Sequence, residues 1–291
     1  MTEKLVPLPA IEKLSSRVIR VLGGNPGKFQ LQGTNTYIVG TGPKRILIDS
    51  GEGKPAWIES IKSVLSSENI TITHALITHW HHDHTDGVPS LIAHSPSTQI
   101  YKRDPKSHSS ESTVWHDIED GQTFTTEGAT LRAFYSPGHA IDHNAFILEE
   151  EAAMFTGDNV LGQGTAVFED LATYMNSLDR MSTQFEKRAY PGHGPVIEDG
   201  PAKVREYISH RKQREKQVLD VLASDGEKKA WTSMEIVKII YKDYPEALWQ
   251  PAERGIIQIL EKLVKDGQVR KVGEKEEVKW ELTGDKAASS L

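Results

Sequence analysis

The run Thr78-His79-Trp80-His81-His82-Asp83-His84 sets three imidazoles and a carboxylate in the spacing His-x-His-x-Asp-His. Imidazole nitrogen and carboxylate oxygen are the zinc ligands open to a chain with no cysteine, and catalytic zinc also needs a position left for water or substrate. The apolar stretch Ala75-Leu76-Ile77-Thr78 immediately before the run reads as a buried strand, which would deliver the donors on a rigid base. A lone histidine in such a place reads as part of a solvated loop; four spaced donor residues read as a metal site. His82 occupies the variable position of the pattern and is expected to face solvent.

Three later segments repeat the arrangement of an apolar strand ending in a donor. Tyr135-Ser136-Pro137-Gly138-His139 follows the strand-like Thr130–Phe134, Ala153-Met154-Phe155-Thr156-Gly157 runs into Asp158, and Ala189-Tyr190-Pro191-Gly192 runs into His193. No cysteine nucleophile and no Gly-x-Ser-x-Gly elbow competes with a metal-centred reading.

In these motifs, which stand in family order, the chain resembles the metallo-β-lactamase superfamily of binuclear metal hydrolases over roughly residues 15 to 200. Carried over position by position, the resemblance implies that His79, His81 and His139 hold one metal, that Asp83, His84 and His193 hold a second, and that Asp158 bridges them. It also implies two zinc ions per chain. Leu47-Ile48-Asp49-Ser50-Gly51 matches the family's first motif, which implies that Asp49 supports the ligand loop from behind. Two cations about 3.5–4 Å apart can share a hydroxide whose pKa falls toward ~7 and can stabilise charge on electrophile and leaving group. Asp83, Asp158 and His143 are the expected catalytic residues, with His143 read equally as a polarising or proton-donating group and as a brace for His139.

A finer similarity is carried by Arg20-Val21-Leu22-Gly23-Gly24-Asn25-Pro26-Gly27, Leu31-Gln32-Gly33-Thr34-Asn35-Thr36-Tyr37, Val167-Phe168-Glu169-Asp170, Tyr174-Met175-Asn176-Ser177-Leu178, Tyr207-Ile208-Ser209-His210-Arg211 and Glu235–Lys242. There the chain resembles the beta-lactamase-like protein 2 group of animal endoribonucleases, which implies metal-dependent cleavage of single-stranded RNA by a metal-bridged hydroxide. The fungal lactamase-type thioesterases, which release polyketides from acyl carrier proteins, are similar over the same catalytic motifs and imply an acyl-carrier-protein thioester as the alternative substrate. A noncatalytic nucleic-acid-binding protein is the reading from another class, and the complete donor set argues against it. Two departures bear on substrate: Asp86-Gly87 stands where the superfamily commonly has Gly-Gly, adding a carboxylate, and no long inserted domain is present to clamp RNA.

The 291 residues, 37% hydrophobic and 26% charged, suffice for one large core and a smaller second domain. Up to Pro201 there are 16 basic and 25 acidic residues, beyond it 18 and 16, so the overall charge of −7 is confined to the first part. The C-terminal part is the better contact for a polyanion, through Arg211, Lys212 and Arg214, although a solvated helix face explains the same run. The start Met1–Ala10 has neither an apolar signal core nor an arginine-rich transit pattern, and no apolar run approaches a membrane span. An intracellular place, cytoplasmic or mitochondrial, is expected.

The elements that must position these residues follow from periodicity. Arg17–Leu22, Thr36–Val39 and Arg45–Ile48 read as strands, the last two a hairpin about Gly40-Thr41-Gly42-Pro43, and Trp57–Leu65 reads as a helix. The fold class implied by the resemblance is α/β, an αββα metallo-β-lactamase sandwich over residues 1–200. Residues 201–291 are expected to form a small winged-helix-like domain: a helix over Val204–Leu222, a capping box Thr232-Ser233-Met234-Glu235 opening a helix over Met234–Tyr241, a helix over Arg254–Leu263, and a hairpin returning through Val278–Leu282. The tail Lys286–Leu291 is expected to be disordered. Asn35 is a candidate substrate contact, with a turn-stabilising role beside it. Trp231, Trp249 and Trp280 could stack bases but read first as core.

Overall fold

The structure, a computed structural model, describes residues 5–104, 114–224, 229–273 and 278–283. A seven-stranded sheet runs in chain order through β1 (Ile11–Lys13), β2 (Val18–Leu22), β3 (Asn35–Val39), β4 (Lys44–Ile48), β5 (Thr71–Ile77), β6 (Gln99–Lys102) and β7 (Trp115–His116). Its first four strands pair antiparallel and the remainder parallel. The crossovers from β4 to β5 and from β5 to β6 are helical, with α1 (Pro55–Ser67) before β5 and α2 (His82–Thr85) and α3 (Val88–His94) before β6.

Alternation along the central strands explains the layering. Tyr37 and Val39, Ile46 and Ile48, and Leu76 join one buried cluster, whereas their neighbours Ile38, Leu47, Ala75 and Ile77 join another. The second cluster is completed by Trp57, Ile61, Val64 and Leu65 of α1 and by Val88 and Leu91 of α3, so helices cover that face. The first cluster is completed by Phe124, Leu131, Ala133, Phe146, Leu148, Phe155 and Tyr190 of a second sheet. That sheet has the order β12 (Ala189–Pro191), β11 (Ala153–Gly157), β10 (Asn144–Leu148), β9 (Ala129–Tyr135) and β8 (Thr123–Thr126). Apolar residues alternating at period two therefore build both faces of an αββα sandwich.

The chain divides into two compact units, Met1–Glu169 with Thr173–Arg205, and Asp170–Ala172 with Glu206–Leu291. Helix α4 (Leu171–Met181) precedes β12, and α5 (Gly200–Leu222) follows it, so the change of sequence character after Pro201 falls inside a helix. The second unit contains α6 (Ser233–Ile240), α7 (Trp249–Lys265) and the antiparallel pair β13 (Val269–Val272) and β14 (Lys279–Leu282). Thr232 caps α6 in a reciprocal box with Glu235.

Helix α7 starts five residues before the Arg254 start read from sequence. Pro251 lies in its first turn, where the missing N–H has no intrahelical acceptor in any residue type, so the proline does not interrupt it. Trp280 is buried, Trp231 is bridged to it through the backbone, and Trp249 Nε1 donates to the Tyr241 carbonyl at 3.2 Å, which makes the three indoles part of this unit's packing. The tail Lys286–Leu291 and the first four residues lie outside the described residues. Among the described residues no helix is long and apolar enough to cross a membrane.

Candidate metal centre

Four strand ends deliver the donors to one place. His79 and His81 leave β5, and the single turn of α2 brings Asp83 and His84 round behind them. The Ser50 N–H and hydroxyl both donate to the His84 carbonyl, at 3.0 and 2.8 Å, which anchors that turn to the end of β4. Gly87 is required by the same close approach, because a Cβ there would lie 1.7 Å from the Ser50 carbonyl oxygen. Asp86, by contrast, is exposed and does not line the cavity, so the carboxylate that replaces the family's first glycine does not act on a ligand within it.

His139 sits in the turn between β9 and β10, Asp158 follows β11, and His193 follows β12. The donor atoms form two adjoining groups, His79, His81, His139 and Asp158 in one and Asp83, His84 and His193 in the other, each within 4.8 Å. In the first, His79 Nε2 and His81 Nδ1 are 2.9 Å apart, and His139 Nε2 stands 3.2 and 3.0 Å from them. Donors placed tetrahedrally about a zinc at 2.0–2.1 Å stand about 3.3 Å apart. In the second, His193 Nε2 is 3.3 Å from Asp83 Oδ2, and His84 Nε2 is 3.8 Å from the same oxygen. Asp158 lies between the groups, with Oδ1 3.5 Å from His84 and Oδ2 3.3 and 3.7 Å from His193 and His139.

The inner nitrogens are freed by what the outer ones do. His139 Nδ1 donates to the Val167 carbonyl at 2.8 Å, His193 Nδ1 to the Gly33 carbonyl at 3.4 Å, and His84 Nδ1 to Asp49 Oδ2 at 2.8 Å. His79 Nδ1 is 2.9 Å from the Thr78 hydroxyl, which itself donates to Asp49 at 3.0 Å. Asp49 also accepts the Thr78 N–H at 2.8 Å, so one buried carboxylate orients donors in both groups. His84 Nε2 and Asp158 Oδ1 remain buried without a hydrogen bond, two polar atoms aimed into the space between the groups. The donor set fits a pair of divalent cations.

Electrostatics separate the two groups. Burial, reinforced by the neighbouring His84 and His139, holds His79 well below its ordinary pKa, and burial with His139 lowers His81 to about 4. Burial also disfavours charge on His193 and His84, but carboxylates overcome it: Asp158 and Asp83 push His193 up to about 9, and Asp49 and Asp158 hold His84 well above its usual value. Burial works against ionised Asp83 and Asp158 too, yet His193 and His84 keep both below the usual carboxylate range. A field that draws protons onto His84 and His193 is one that a cation can exploit.

A cavity of about 420 Å³ opens onto the donors, and the described residues that line it belong to the first unit. His81, His82, Asp83, His139, Asp158 and His193 form its floor. One wall is Lys28, Phe29, Gln30 and Leu31, and the other runs from Leu161 and Gln163 to Val167. These loops went unassigned from sequence as parts of the site, since no donor spacing marks them; the exposed Phe29 and Val167 are the local signal.

Several expected roles change on the structure. His143 is fully buried and does not line the cavity; its Nε2 accepts the Asp158 N–H at 3.2 Å and its Nδ1 is 3.0 Å from the Ser136 hydroxyl. Burial and the nearby His139 keep it neutral, so it braces Asp158 and does not meet substrate as an acid. Asn35 is 1% exposed and donates to the Pro191 and Gly194 carbonyls at 2.9 and 2.8 Å, which fastens the loop carrying His193 and removes Asn35 from the list of substrate contacts. Arg211, Lys212 and Arg214 lie on α5 in the second unit and none lines the cavity; Arg214 is engaged with Gln217 and the Tyr241 ring. His82 is exposed.

The family model described as Metallo-beta-lactamase superfamily matches residues 30–193, and that described as Beta-lactamase associated winged helix domain matches residues 232–280. The chain is 46% identical to the lactamase-like protein adaB of Aspergillus niger, over 98% of this chain and 92% of that one. It is 48% identical to the atrochrysone carboxyl ACP thioesterase of Aspergillus chevalieri, over 91% of this chain and 87% of that one. Its fold is similar to a beta-lactamase domain protein from Burkholderia ambifaria, with a TM-score of 0.77 at 16% identity over 95% of both chains.

Proposed function

The chain belongs to the metallo-beta-lactamase superfamily, and on that premise we propose that it is a metal-dependent thioester hydrolase that frees an acyl chain from an acyl carrier protein. The observation that carries this reading is the 48% identity, across 91% of the chain, to a protein named as an ACP thioesterase. The cavity supports it. Phe29, Leu31, Leu161, Ala166 and Val167 offer apolar surface to an acyl chain, whereas Lys28 is the one lysine or arginine among the described residues of its wall. The expectation of an endoribonuclease rested on a resemblance to the animal group; the two Aspergillus relatives described above, at 46% and 48% identity, support the thioester instead, and the order of the two substrates is accordingly reversed.

His79, His81 and His139 would hold one cation and Asp83, His84 and His193 a second, with Asp158 shared, and zinc in two equivalents is the cofactor proposed. Such ions supply Lewis acidity and a water acidified toward neutrality. The chain's own contribution is positional. Asp49 and the Gly33 and Val167 carbonyls fix the imidazole tautomers, His143 holds the Asp158 backbone, and the two cavity loops seat the acyl chain and exclude bulk water from the reacting carbonyl.

The test is a side-by-side assay of purified, zinc-loaded protein on an acyl thioester of N-acetylcysteamine and on a single-stranded oligoribonucleotide. Thioester turnover abolished by chelation and restored by zinc is expected. Cleavage of the RNA with no thioester turnover would reject the proposal in favour of a nuclease.

A further inference from the structure

Asp49 serves donors of both groups, but the other supports of the two groups come from different parts of the chain. In the first, His139 is oriented by the Val167 carbonyl and His79 by Thr78. In the second, two of the three donors lean on one short surface segment: Gln30 Nε2 donates to Asp83 Oδ2 at 3.2 Å, and the Gly33 carbonyl accepts from His193 Nδ1 at 3.4 Å. The segment is a tight loop closed by Gly27 N–H to the Leu31 carbonyl at 3.2 Å and by Gly33 N–H to the Gln30 carbonyl at 2.8 Å. Leu31 takes a left-handed backbone with φ 54°, a conformation that a branched-tip side chain adopts only under constraint. The same loop carries Lys28, Phe29 and Leu31, which form one wall of the cavity.

Gln30 is the side chain that joins this wall to the Asp83 carboxylate. Asp83 Oδ2, the oxygen it grips, is also the one turned toward His193 and His84. A carboxylate oxygen has two acceptor directions, so one can serve an amide N–H while the other serves a cation, and the amide then fixes which way the oxygen points. Gly27 makes room for this pose: a Cβ on it would stand 2.5 Å from Gln30 Oε1.

We propose that Gln30 is a positioning residue for the Asp83–His84–His193 cation position, and that it couples occupancy of that position to the ordering of the Lys28–Leu31 wall of the cavity. This rests on the two-cation reading given above. Linkage makes the coupling reciprocal: if an ordered wall tightens the cation, the cation orders the wall to the same degree. The His79–His81–His139 position, whose supports lie elsewhere, is insensitive to the loop.

The experiment titrates metal-free full-length protein with zinc by calorimetry and follows amide hydrogen exchange over residues 27–33 with and without zinc. Wild-type protein should bind two equivalents and gain protection in the loop on taking up the second. Gln30→Leu, which removes the donor, and Gly27→Ala, which dislodges the carboxamide, should each weaken one zinc equivalent by about tenfold or more, leave the other unchanged, and abolish the zinc-dependent protection. A role in folding alone would lower stability without separating the two equivalents. Two unchanged affinities in both variants, or loop protection that still follows zinc, would overturn the inference while leaving the two-cation site standing. Wild-type protein that takes fewer than two equivalents would overturn the two-cation reading itself.

Discussion

Asp158 is the donor on which the two groups depend together, since its oxygens approach His84, His193 and His139 while His143 holds its backbone. Asp158→Ala is expected to lower turnover on the order of 10³-fold and to lose bound zinc, because no other carboxylate lies between the groups in the arrangement described. His82→Ala, which removes a cavity-lining side chain that belongs to neither donor group, should keep its zinc and lose far less activity than Asp158→Ala. Metal analysis and kinetics on the two variants check this, and equal losses would contradict the assignment. The same residues set a pH dependence in the metal-free protein. His193 is protonated in the fold up to about 9 against an ordinary 6.5, so its contribution is complete below pH 6.5 and lost as pH rises toward 9, a change of about 3 kcal/mol. His81 is lowered to about 4, so the unfolded chain takes up its proton first and stability falls as pH drops from 6.5 toward 4. Metal-free protein should therefore melt highest near pH 6.5. Zinc, by occupying His193 Nε2 in place of the proton, should remove the alkaline decline; calorimetric melting between pH 4.5 and 9 with and without zinc measures both limbs.

At the scale of elements, the turns carrying Asp83 and His84 and carrying His139 are held by backbone approaches at Gly87 and Gly138 that leave no room for a Cβ. Gly138 takes φ +130°, and a Cβ there would meet the Tyr174 Cα of α4 at 2.3 Å. Gly138→Ala should cost roughly 3 kcal/mol and displace His139, so a fall in melting temperature accompanied by weaker zinc binding is expected, whereas Gly121→Ala, with φ +80° but open space around it, should cost less and leave zinc affinity intact. These elements were largely legible in the sequence because donor and strand lie next to each other along the chain. Ala75–Thr78, Ala153–Gly157 and Ala189–Pro191 each announce a buried strand, and the donor follows within two or three residues. The cavity walls were not legible in that way. Lys28–Leu31 and Leu161–Val167 reach the donors only through tertiary closure, and neither periodicity nor donor spacing records where a loop folds. The same limit misplaced Asn35: its side chain bonds carbonyls more than 150 positions away, a partnership that a local reading replaces with a turn or a cleft contact.

For the whole molecule, charge bears on which substrate the centre serves. The second unit holds the basic run Arg211-Lys212-Gln213-Arg214, yet the part of the chain beyond Pro201 carries only 18 basic against 16 acidic residues, and several of those bases are engaged within the unit. Lys262 reaches Glu215 at 2.9 Å and Asp266 at 2.7 Å, Lys265 reaches Asp170 at 2.5 Å, and Arg270 and Lys271 pair with Glu281 and Glu261. A surface whose cations are matched by carboxylates releases few phosphate counterions on meeting a nucleic acid, and counterion release is what drives such binding and makes it fall with salt. Single-stranded RNA is accordingly expected to bind no more tightly than nonspecific contact, about 10⁻⁶ to 10⁻⁴ M near physiological salt. Replacing Arg211, Lys212 and Arg214 together by glutamine should leave the thioester kcat unchanged, because none of the three is among the described residues that line the cavity. Fluorescence anisotropy of a labelled oligoribonucleotide at 50 and 200 mM salt, beside thioester kinetics, decides the matter. Submicromolar RNA binding with a steep salt slope that flattens in the triple variant would make α5 a phosphate-contacting surface and return RNA to the front of the substrate question; weak binding that the variant does not alter leaves the helix as a structural face and removes the support that α5 would lend to RNA as substrate.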